Sequence, residues 1–479
     1  MALFNQSNTN IITQQHRTLY YKMYILNYKM QVVDEISDVV IGATFSIDAT
    51  SNIRRTATIN ITPNNDEWFR IEYGSKIWAD KYVKICVGIQ DDKDGHIEYT
   101  NMGIYLVNNP QQRFSSDDKT INIQLVDLMA KMTGIRNGYL KDGVDYQIPK
   151  GSNIRDAMIA VLAECGFNRY IINIGNDGYQ TTQNDITVSA TSTYYEILSQ
   201  LNDFNINYEM YFDVDGIFHY DKIPDEHDNL PTIIDNSIWD CVYISHDLTN
   251  NYEEVKNKIV VLGKTHTVAY YSTETTLTDN VYHLTMANMT QLDDGVVIGF
   301  TPTQVPTDGT AFKIQINSLS VNDVVDDMGK IPNLKVNTYY VAYWDNSKSM
   351  WIFEGEVTPR GVASEDNPNN PYYIHGTLGE IPITLQGGEY DNISSDNLAK
   401  QRAEWELYTR CKLQNNVTMT CIPIYWLDVN WIVSIKFPNE TQASLYIIKQ
   451  ISTDGTFDGT QQITLMKFYP FYNYSNSNL

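Results

Sequence analysis

The sequence has little cysteine and no long apolar run. Its five cysteines are scattered over 479 residues and none forms a CxxC pair, which argues against a disulfide framework and against a zinc cluster. No apolar stretch approaches the roughly 18 residues that a membrane-spanning helix needs, so no membrane anchor is expected. The first residues lack the basic start and apolar core of a signal peptide, and we expect the chain to fold in a cytoplasm.

Basic residues are also scarce. Only 34 Lys and Arg stand against 58 Asp and Glu, which gives a formal net charge of −24. Proteins bind nucleic acid mostly because Lys and Arg neutralise its phosphates, so a chain this acidic is a poor nucleic-acid binder and repels DNA. Hydrophobic residues make up 42% of the sequence, which is ordinary for a globular protein of about three domains.

Catalytic motifs are absent from the sequence. It contains no nucleophile elbow, P-loop, GxGxxG or HExxH motif. The best candidate for a metal or acid/base site is a group of three histidines near several aspartates, but a hairpin turn and a proline-flanked loop explain these aspartates better. The group consists of His219, His227 and His246 with Asp213, Asp215, Asp221, Asp225 and Asp228. We therefore predict no catalytic residue, no metal and no cofactor.

Two further motifs have competing interpretations. Residues 91–95 resemble a calcium loop but lack the final glutamate and the alternate ligand spacing of an EF-hand, so a charged turn is the better interpretation. The aromatic residues between Tyr339 and Phe353 could stack on sugars, yet their alternation is typical of two packed strands.

The most informative pattern in the sequence is an internal repeat. Each end of the chain contains two alternating strand segments joined by a polar loop, and a third matching segment lies upstream. Any two hairpins would share alternation, but agreement in the order of three elements favours duplication of a small β domain. The matching pieces are residues 78–85, 104–107 and 121–125 in the first copy and residues 427–435, 445–448 and 462–466 in the second.

Alternation and helix signals predict the remaining elements. Residues 39–126 read as five or six antiparallel strands, enough for a small barrel or sandwich, and the first two form a hairpin with a turn near residues 51–52 and one buried face. A further hairpin is expected to turn at residues 215–216. Helices are expected after a Ser152 cap and after a capping box at Thr193. Residues 255–263 are expected to form the first strand of the second β domain. The longest helix, about 396–412, has apolar residues on more than one side, which predicts a second contact surface.

These patterns predict an α+β fold that is mainly β. We expect two antiparallel β-barrel domains, an inserted α+β domain and an additional β-rich insertion. The second helix face predicts a subunit interface at Leu398, Trp405 and Tyr408. The expected boundaries are 1–135 for the first β domain, 136–237 for the α+β domain, 238–264 with 391–479 for the second β domain, and 265–390 for the insertion.

The order of these elements resembles the baseplate hub proteins of bacteriophage tails and related contractile injection systems, including tail hub proteins of phages of Gram-positive bacteria. The resemblance rests on degenerate motifs that span most of the chain, whereas the region 265–390 departs from the minimal pattern. The motifs are Trp-Ala-Asp at 78–80, Val-Asp-Leu-Met at 126–129, the insert ending at 211–218, the strand at 255–263, and the late helix followed by residues 422–429.

This resemblance implies two tube-like β domains and a homotrimer around a channel. Three chains with two copies each would present six similar units to a hexameric tail tube. The implied partners are a tail tube or distal tail protein, a central spike or tape-measure protein, other baseplate proteins, and DNA only in passage. The implied location is the virion tail, with assembly in the bacterial cytoplasm. Two alternatives remain open, a tail-associated cell-wall hydrolase and a host glycan-binding tail module.

Overall fold

Antiparallel strands build most of the protein. The structure, a computed structural model, describes residues 11–12, 14, 17–37, 40–63, 70–115, 119–141, 143–176, 178–224, 236–307, 309–411, 414–438 and 440–468. Within these ranges, no helix is long and apolar enough to cross a bilayer.

The elements follow one another in three stretches of chain. The first contains β1 (Leu19–Leu26), β2 (Val32–Ser37), β3 (Val40–Asp48), β4 (Arg55–Ile61), β5 (Tyr82–Gln90), β6 (Ile97–Phe114), β7 (Lys119–Asp127) and the 3-10 helix Leu128–Lys131. The second contains β8 (Tyr146–Ile148), α1 (Ile154–Glu164), β9 (Tyr170–Ile172), β10 (Ile186–Val188), α2 (Tyr194–Asn202), β11 (Tyr208–Phe212) and β12 (Phe218–Lys222).

The third stretch contains strands of different lengths and the longest helix of the described residues. It begins with α3 (Asn236–Val242), β13 (Tyr243–Asn251), β14 (Lys258–Leu262), β15 (Tyr270–Tyr271), β16 (Glu274–Thr278), β17 (Val281–Thr285), β18 (Val297–Phe300), β19 (Lys313–Ile316) and β20 (Val321–Asp326). It continues with β21 (Tyr340–Asp345), β22 (Met350–Glu356), β23 (Arg360–Ser364), β24 (Pro382–Leu385), the 3-10 helix Gly388–Asn392, α4 (Asp396–Arg410), β25 (Gln414–Cys421), β26 (Ile432–Ile435), β27 (Ser444–Asp454) and β28 (Gln461–Lys467).

A 12-stranded sheet joins the two ends of the chain. Its order is β13-β25-β28-β27-β3-β4-β7-β6-β5-β1-β2, with β26 paired to β27. The strands alternate as the sequence predicts, since Phe45 and Ile47 of β3 are buried in the core while Thr44 and Ser46, on the other face of the strand, are more exposed. One apolar core lies under strands from both ends of the chain. The two repeated segments therefore share an open sheet instead of forming separate cores.

The strand order within this sheet repeats. In the first copy the neighbours run β3-β4-β7-β6-β5, and in the second they run β13-β25-β28-β27-β26. The predicted hairpins β3–β4, β6–β7 and β27–β28 all form. The chain joins the copies by pairing β27 of the second with β3 of the first. The repeat is therefore present in the strand order of the sheet as well as in the sequence pattern.

The region between the copies contains α1 and α2, as predicted. Thr193 caps α2 by accepting from the backbone N–H of Glu196 at 3.3 Å. The predicted cap of α1 was wrong by one residue, because Asn153 accepts from the backbone of Asp156 at 3.0 Å while the Ser152 hydroxyl donates to a preceding carbonyl. Strand β9 pairs parallel to β12, which adds a strand to the predicted hairpin of β11 and β12.

One strand lies in a different sheet from the one that the sequence predicts. Strand β14 pairs with β23 and β24, so the expectation that residues 255–263 open the second β domain was wrong, and β13 holds that position. Helix α4 lies against this small sheet, where Ala399 and Ala403 are fully buried. Periodicity identified β14 as a strand but carries no information about its partner.

Strands β15 to β22 form an eight-stranded sheet with its own apolar core. The predicted aromatic strands pair within it, and Trp344 lies opposite Trp351 with ring centroids 5.4 Å apart. The chain enters and leaves this sheet at one place, because the hydroxyls of Thr265 and Thr358 are 2.8 Å apart. These adjacent ends make the sheet a candidate for excision.

We expect residues 267–356 to be removable when a short Gly-Ser linker replaces them. The remaining strands keep their partners, whereas a deletion of 275–385 would also remove β23 and β24 from β14. Circular dichroism and urea denaturation should show one cooperative transition for the shorter deletion. The wider deletion is the matched control and should unfold or aggregate. Aggregation of both would contradict this division of the chain.

Candidate functional site: a buried ionic junction

Two adjacent arginines at the start of β4 bring three parts of the chain together. Arg54 and Arg55 are 5% and 2% exposed, although both are charged. Their guanidinium groups reach β11 of the α+β region and residues 428 and 429 of the second copy. Buried charges are stable only when they are paired and hydrogen-bonded, so the surrounding groups define a site, which we call the ionic junction.

Arg54 contacts all three parts of the chain. Its Nη1 donates to Glu209 at 2.7 Å, its Nη2 donates to the carbonyl of Val429 at 3.1 Å, and its guanidinium lies 3.9 Å from the ring centroid of Tyr211. Burial alone would lower the pKa of Arg54, but the carboxylates of Asp428 and Glu209 outweigh it and raise this pKa above its ordinary value. Arg54 is therefore a permanent cation.

Arg55 connects the same parts through different atoms. Its guanidinium donates to the carboxylate of Asp428 and to the carbonyl of Phe212. Its backbone N–H donates to Asp127 at 2.9 Å. Burial raises the pKa of Asp127 to about 6, although backbone donors from Arg55 and Met129 oppose the shift. The last residue of β7 is thereby fixed to the first residue of β4.

A lysine completes the junction from β27. Asn430 donates to Glu209 at 2.6 Å and accepts from the ammonium of Lys449 at 3.0 Å. Burial lowers the pKa of Lys449 to about 8, with Glu209 opposing the shift. Glu209 thus receives hydrogen bonds from Arg54 and from Asn430, one from each copy of the repeat.

His219 extends this network on the hairpin of β11 and β12. Its Nδ1 and Nε2 lie 2.9 Å from Asp221 and 3.1 Å from Asp213, and its ring stacks on Tyr211. Burial alone would lower the pKa of His219, but the hydrogen bonds to both carboxylates raise it to about 9. His219 is therefore an imidazolium at neutral pH, and it holds the Tyr211 ring against Arg54.

We expect His219→Gln to destabilise the protein in a pH-dependent way. The folded pKa is above the ordinary value of about 6.5, so the stabilisation is complete below pH 6.5 and is lost as the pH rises through about 9. The variant should lose about 1–2 kcal/mol at pH 6, after a discount for partial exposure, and much less at pH 9.5. Urea denaturation at both pH values measures the difference.

The turn variant His96→Gln is the control for this measurement, because His96 is exposed. A loss of stability for His219→Gln that is equal at both pH values would show that the imidazolium does not hold the hairpin.

The structure brings together only part of the predicted histidine group. His219, Asp213 and Asp221 meet, whereas His246 lies elsewhere and bonds to Tyr243 at 2.7 Å. Residues 225, 227 and 228 lie outside the described residues. No cluster of three or more His, Cys, Asp or Glu among the described residues is arranged to hold a metal ion. The charged groups of the junction bond to one another, which suits a structural connection.

The predicted interface residues lie on α4 with different exposures. Leu398 and Tyr408 are buried within their own chain, at 2% and 5% exposure, and Trp405 is partly exposed with its ring 5.6 Å from that of Tyr408. Trp405 is therefore the member of this set with surface to offer a second subunit. The interface itself stays a prediction.

Sequence reasoning missed the ionic junction. The available signal was the pair Arg54-Arg55 at the start of an apolar strand, in a chain with few basic residues. Sequence reasoning also missed Glu406 of α4, which is buried and accepts hydrogen bonds from Arg402 and Arg410 at 3.0 and 2.8 Å. Both cases concern charges that the fold buries only because it also pairs them.

Similarity to known proteins is detectable mainly in the fold. The sequence model of a domain of unknown function, DUF5048, matches residues 369–472. No curated protein matches the sequence. Among solved structures, the tail protein from Neisseria meningitidis MC58 aligns with 93% of this chain and 96% of its own, at 9% identity and a TM-score of 0.51.

Two further tail proteins align over similar lengths with lower scores. The 43 kDa tail protein of prophage MuSo2 from Shewanella oneidensis covers 93% of this chain and 98% of its own, at 10% identity and a TM-score of 0.47. Prophage tail protein gp18 from Listeria monocytogenes EGD-e covers 95% of each chain, at 8% identity and a TM-score of 0.45. The Neisseria alignment confirms the predicted resemblance at the level of fold: over 93% of its length, this chain has the fold of a tail protein.

Proposed function

We propose that this protein is a structural hub of a phage tail tip or baseplate. In this proposal, three copies form a ring that joins a hexameric tail tube to the central spike or tail tip and leaves a channel for DNA. The repeated strand order carries the proposal, because three chains with two copies each supply six similar units. The shared fold with the Neisseria tail protein agrees with a role in a tail.

The charge of the chain also favours a channel for DNA. A net charge of −24 opposes adhesion of phosphates, so DNA would slide through such a ring without binding to it. The other proposed partners are a tail tube or distal tail protein, a spike or tape-measure protein, and further baseplate proteins. The proposed location is the virion tail, after assembly in the host cytoplasm.

The ionic junction fits this role because it fixes the two copies relative to each other. Arg54 and Arg55 of the first copy reach Asp428 and Val429 of the second, with β11 between them. A hub that transmits force between a tube and a spike needs such rigid connections. We propose a non-enzymatic role on this basis.

Electron microscopy of the purified protein tests the proposal. Class averages should show a ring with a central opening and six outer lobes related in pairs. Particles without an opening, or a monomer at micromolar concentration, would contradict it. If the purified protein hydrolyses cell-wall glycan, the result would favour the hydrolase. If it binds the glycan without hydrolysis, the result would favour the glycan-binding module.

Trp405→Ala is expected to weaken the trimer more than it destabilises the subunit. The ring is only partly buried in its own chain, so its truncation should cost about 1 kcal/mol in unfolding free energy and raise the trimer dissociation constant at least about tenfold. Sedimentation velocity over a dilution series measures the dissociation constant. Phe457→Ala, at an exposed loop, is the control and should change neither quantity. An unchanged dissociation constant for Trp405→Ala would remove α4 from the interface.

A further inference from the structure

We propose that the C-terminal part of β6 in one copy of the chain pairs antiparallel with β13 of a second copy, with Arg113 opposite Asp247. This inference rests on the proposed trimer and names the strands that close its ring. The chain contains its own template for this contact, because the equivalent strands of the repeat already pair with each other inside one subunit.

The template is the junction between β27 and β3. On one side, β27 pairs with β28 along most of its length. On its other side, the first part of β27 pairs with β26 and residues 450–454 pair with β3. In the first copy, β6 pairs with β7 on one side and with β5 from Ile97 to Leu106 on the other. The part of β6 beyond Leu106 is thus the equivalent of the part of β27 that holds β3.

The register of the two copies can be matched row by row. Val83 pairs with Tyr105, which pairs with Asp127; Val433 pairs with Tyr446, which pairs with Lys467. Each copy then has an irregularity a few residues later, after Asn108 and after Ile448. Arg113 lies as many residues after Tyr105 as Asp454 lies after Tyr446, so Arg113 and Asp454 occupy equivalent positions.

Strand β13 of the second copy is equivalent to β3 of the first copy. Thr58 pairs with Thr44 and Gln124, and Thr418 pairs with Asp247 and Thr464. Asp247 therefore corresponds to Thr44. Since Thr44 pairs with Asp454 inside the chain, the equivalent contact between chains joins Asp247 to Arg113.

Burial marks β13 as a strand that lacks a neighbour on one side among the strands that the structure describes. Phe45 of β3 is 2% exposed, whereas Leu248 at the equivalent position of β13 is 54% exposed. In the sheet order, β13 stands at an edge with β25 as its neighbour. A long edge strand with an exposed Leu favours pairing with another chain, and a second copy supplies the matching edge.

Charge favours the same register. Arg113 and Asp247 are both exposed, and no ion pair forms at either one among the residues that the structure describes. In the proposed pairing they lie directly opposite each other on the outer face of the sheet, in the place that Asp454 and Thr44 occupy within the chain. Opposite charges at directly opposed positions stabilise an antiparallel pair.

The geometry of the template permits a disulfide test. The backbone N–H of Gly455 donates to the carbonyl of Ala43, so the next pair, Thr44 with Asp454, is a non-hydrogen-bonded pair. In such pairs the Cα atoms are about 4.5 Å apart, within the range that a disulfide spans.

The experiment uses the double variant Arg113→Cys with Asp247→Cys, in the full chain with Cys165→Ser and Cys241→Ser to remove the more accessible native thiols. After mild oxidation, a non-reducing denaturing gel should show covalent dimers and trimers that disappear on reduction. The pair Thr44→Cys with Asp454→Cys is the matched control and should cross-link within the chain, leaving a monomer band that migrates faster than the reduced form.

Charge reversal tests the register independently. Arg113→Asp and Asp247→Arg should each raise the trimer dissociation constant by about fivefold or more, and their combination should restore it to within about twofold. Lys93→Asp is the control, because it makes the same change in net charge in an exposed turn. It should leave the trimer dissociation constant unchanged. A trimer that neither cross-links nor shows rescue would overturn this pairing and leave the proposed hub intact, whereas a monomer at all concentrations would overturn both.

Discussion

Asp428→Ala is expected to lower the free energy of unfolding by about 3 kcal/mol, because it leaves two buried guanidinium groups short of a carboxylate. Arg54 keeps the carboxylate of Glu209, whereas the guanidinium of Arg55 keeps the backbone carbonyl of Phe212 and no carboxylate among the described residues. The loss should be accompanied by loosening between the two copies of the repeat. Equilibrium urea denaturation gives the free energy, and hydrogen exchange of β4 and β26 locates the loosening.

The matched control for this variant is Asp323→Ala. Asp323 pairs with Lys313 at 3.0 Å, and both side chains are largely exposed. Removal of such a surface pair should change stability by less than about 1 kcal/mol. Equal losses for Asp428→Ala and Asp323→Ala would show that the ionic junction is not a principal connection between the copies.

Gly361→Ala is expected to displace α4 from the small sheet and to cost about 3 kcal/mol or more. A Cβ at Gly361 would lie 2.1 Å from the carbonyl carbon of Ala399 and 2.3 Å from the backbone N of Lys400. Both are backbone atoms, so no side-chain rotation can relieve the overlap. Thermal denaturation followed by circular dichroism measures the cost.

Gly42→Ala is the control for this glycine. It also lies in a strand, but its nearest neighbour, the Thr456 methyl group, would be 3.8 Å from the new Cβ, which is an ordinary contact. Its stability should stay close to that of the unmutated protein. Full stability of Gly361→Ala would mean that α4 does not rest directly on the backbone of β23.

Local patterns in the sequence predicted most individual elements. Alternation identified β3 and β4 as a hairpin with one buried face, and the capping box at Thr193 located the start of α2. The aromatic residues of β21 and β22 were also predicted as paired strands. Each of these features depends on residues within a few positions of one another, which is the range over which a sequence pattern carries information.

Long-range pairings could not be predicted in the same way. Arg54 and Glu209 are 155 residues apart and Arg55 and Asp428 are 373 apart, so neither ion pair leaves a local signal. The assignment of β14 failed for the same reason, since its apolar residues fit equally well beside β23 or beside a strand of the larger sheet. The second apolar face of α4 was predicted from spacing, but contacts within the chain already bury Leu398 and Tyr408.

The molar mass in solution tests the central proposal most directly. Light scattering coupled to size exclusion, at micromolar concentration and moderate salt, should give three times the chain mass of 54.9 kDa, roughly 165 kDa. The Trp405→Ala and Arg113→Asp variants should shift this value toward that of one chain on dilution. A stable mass of one chain for the unmutated protein across the whole concentration range would contradict the trimeric hub.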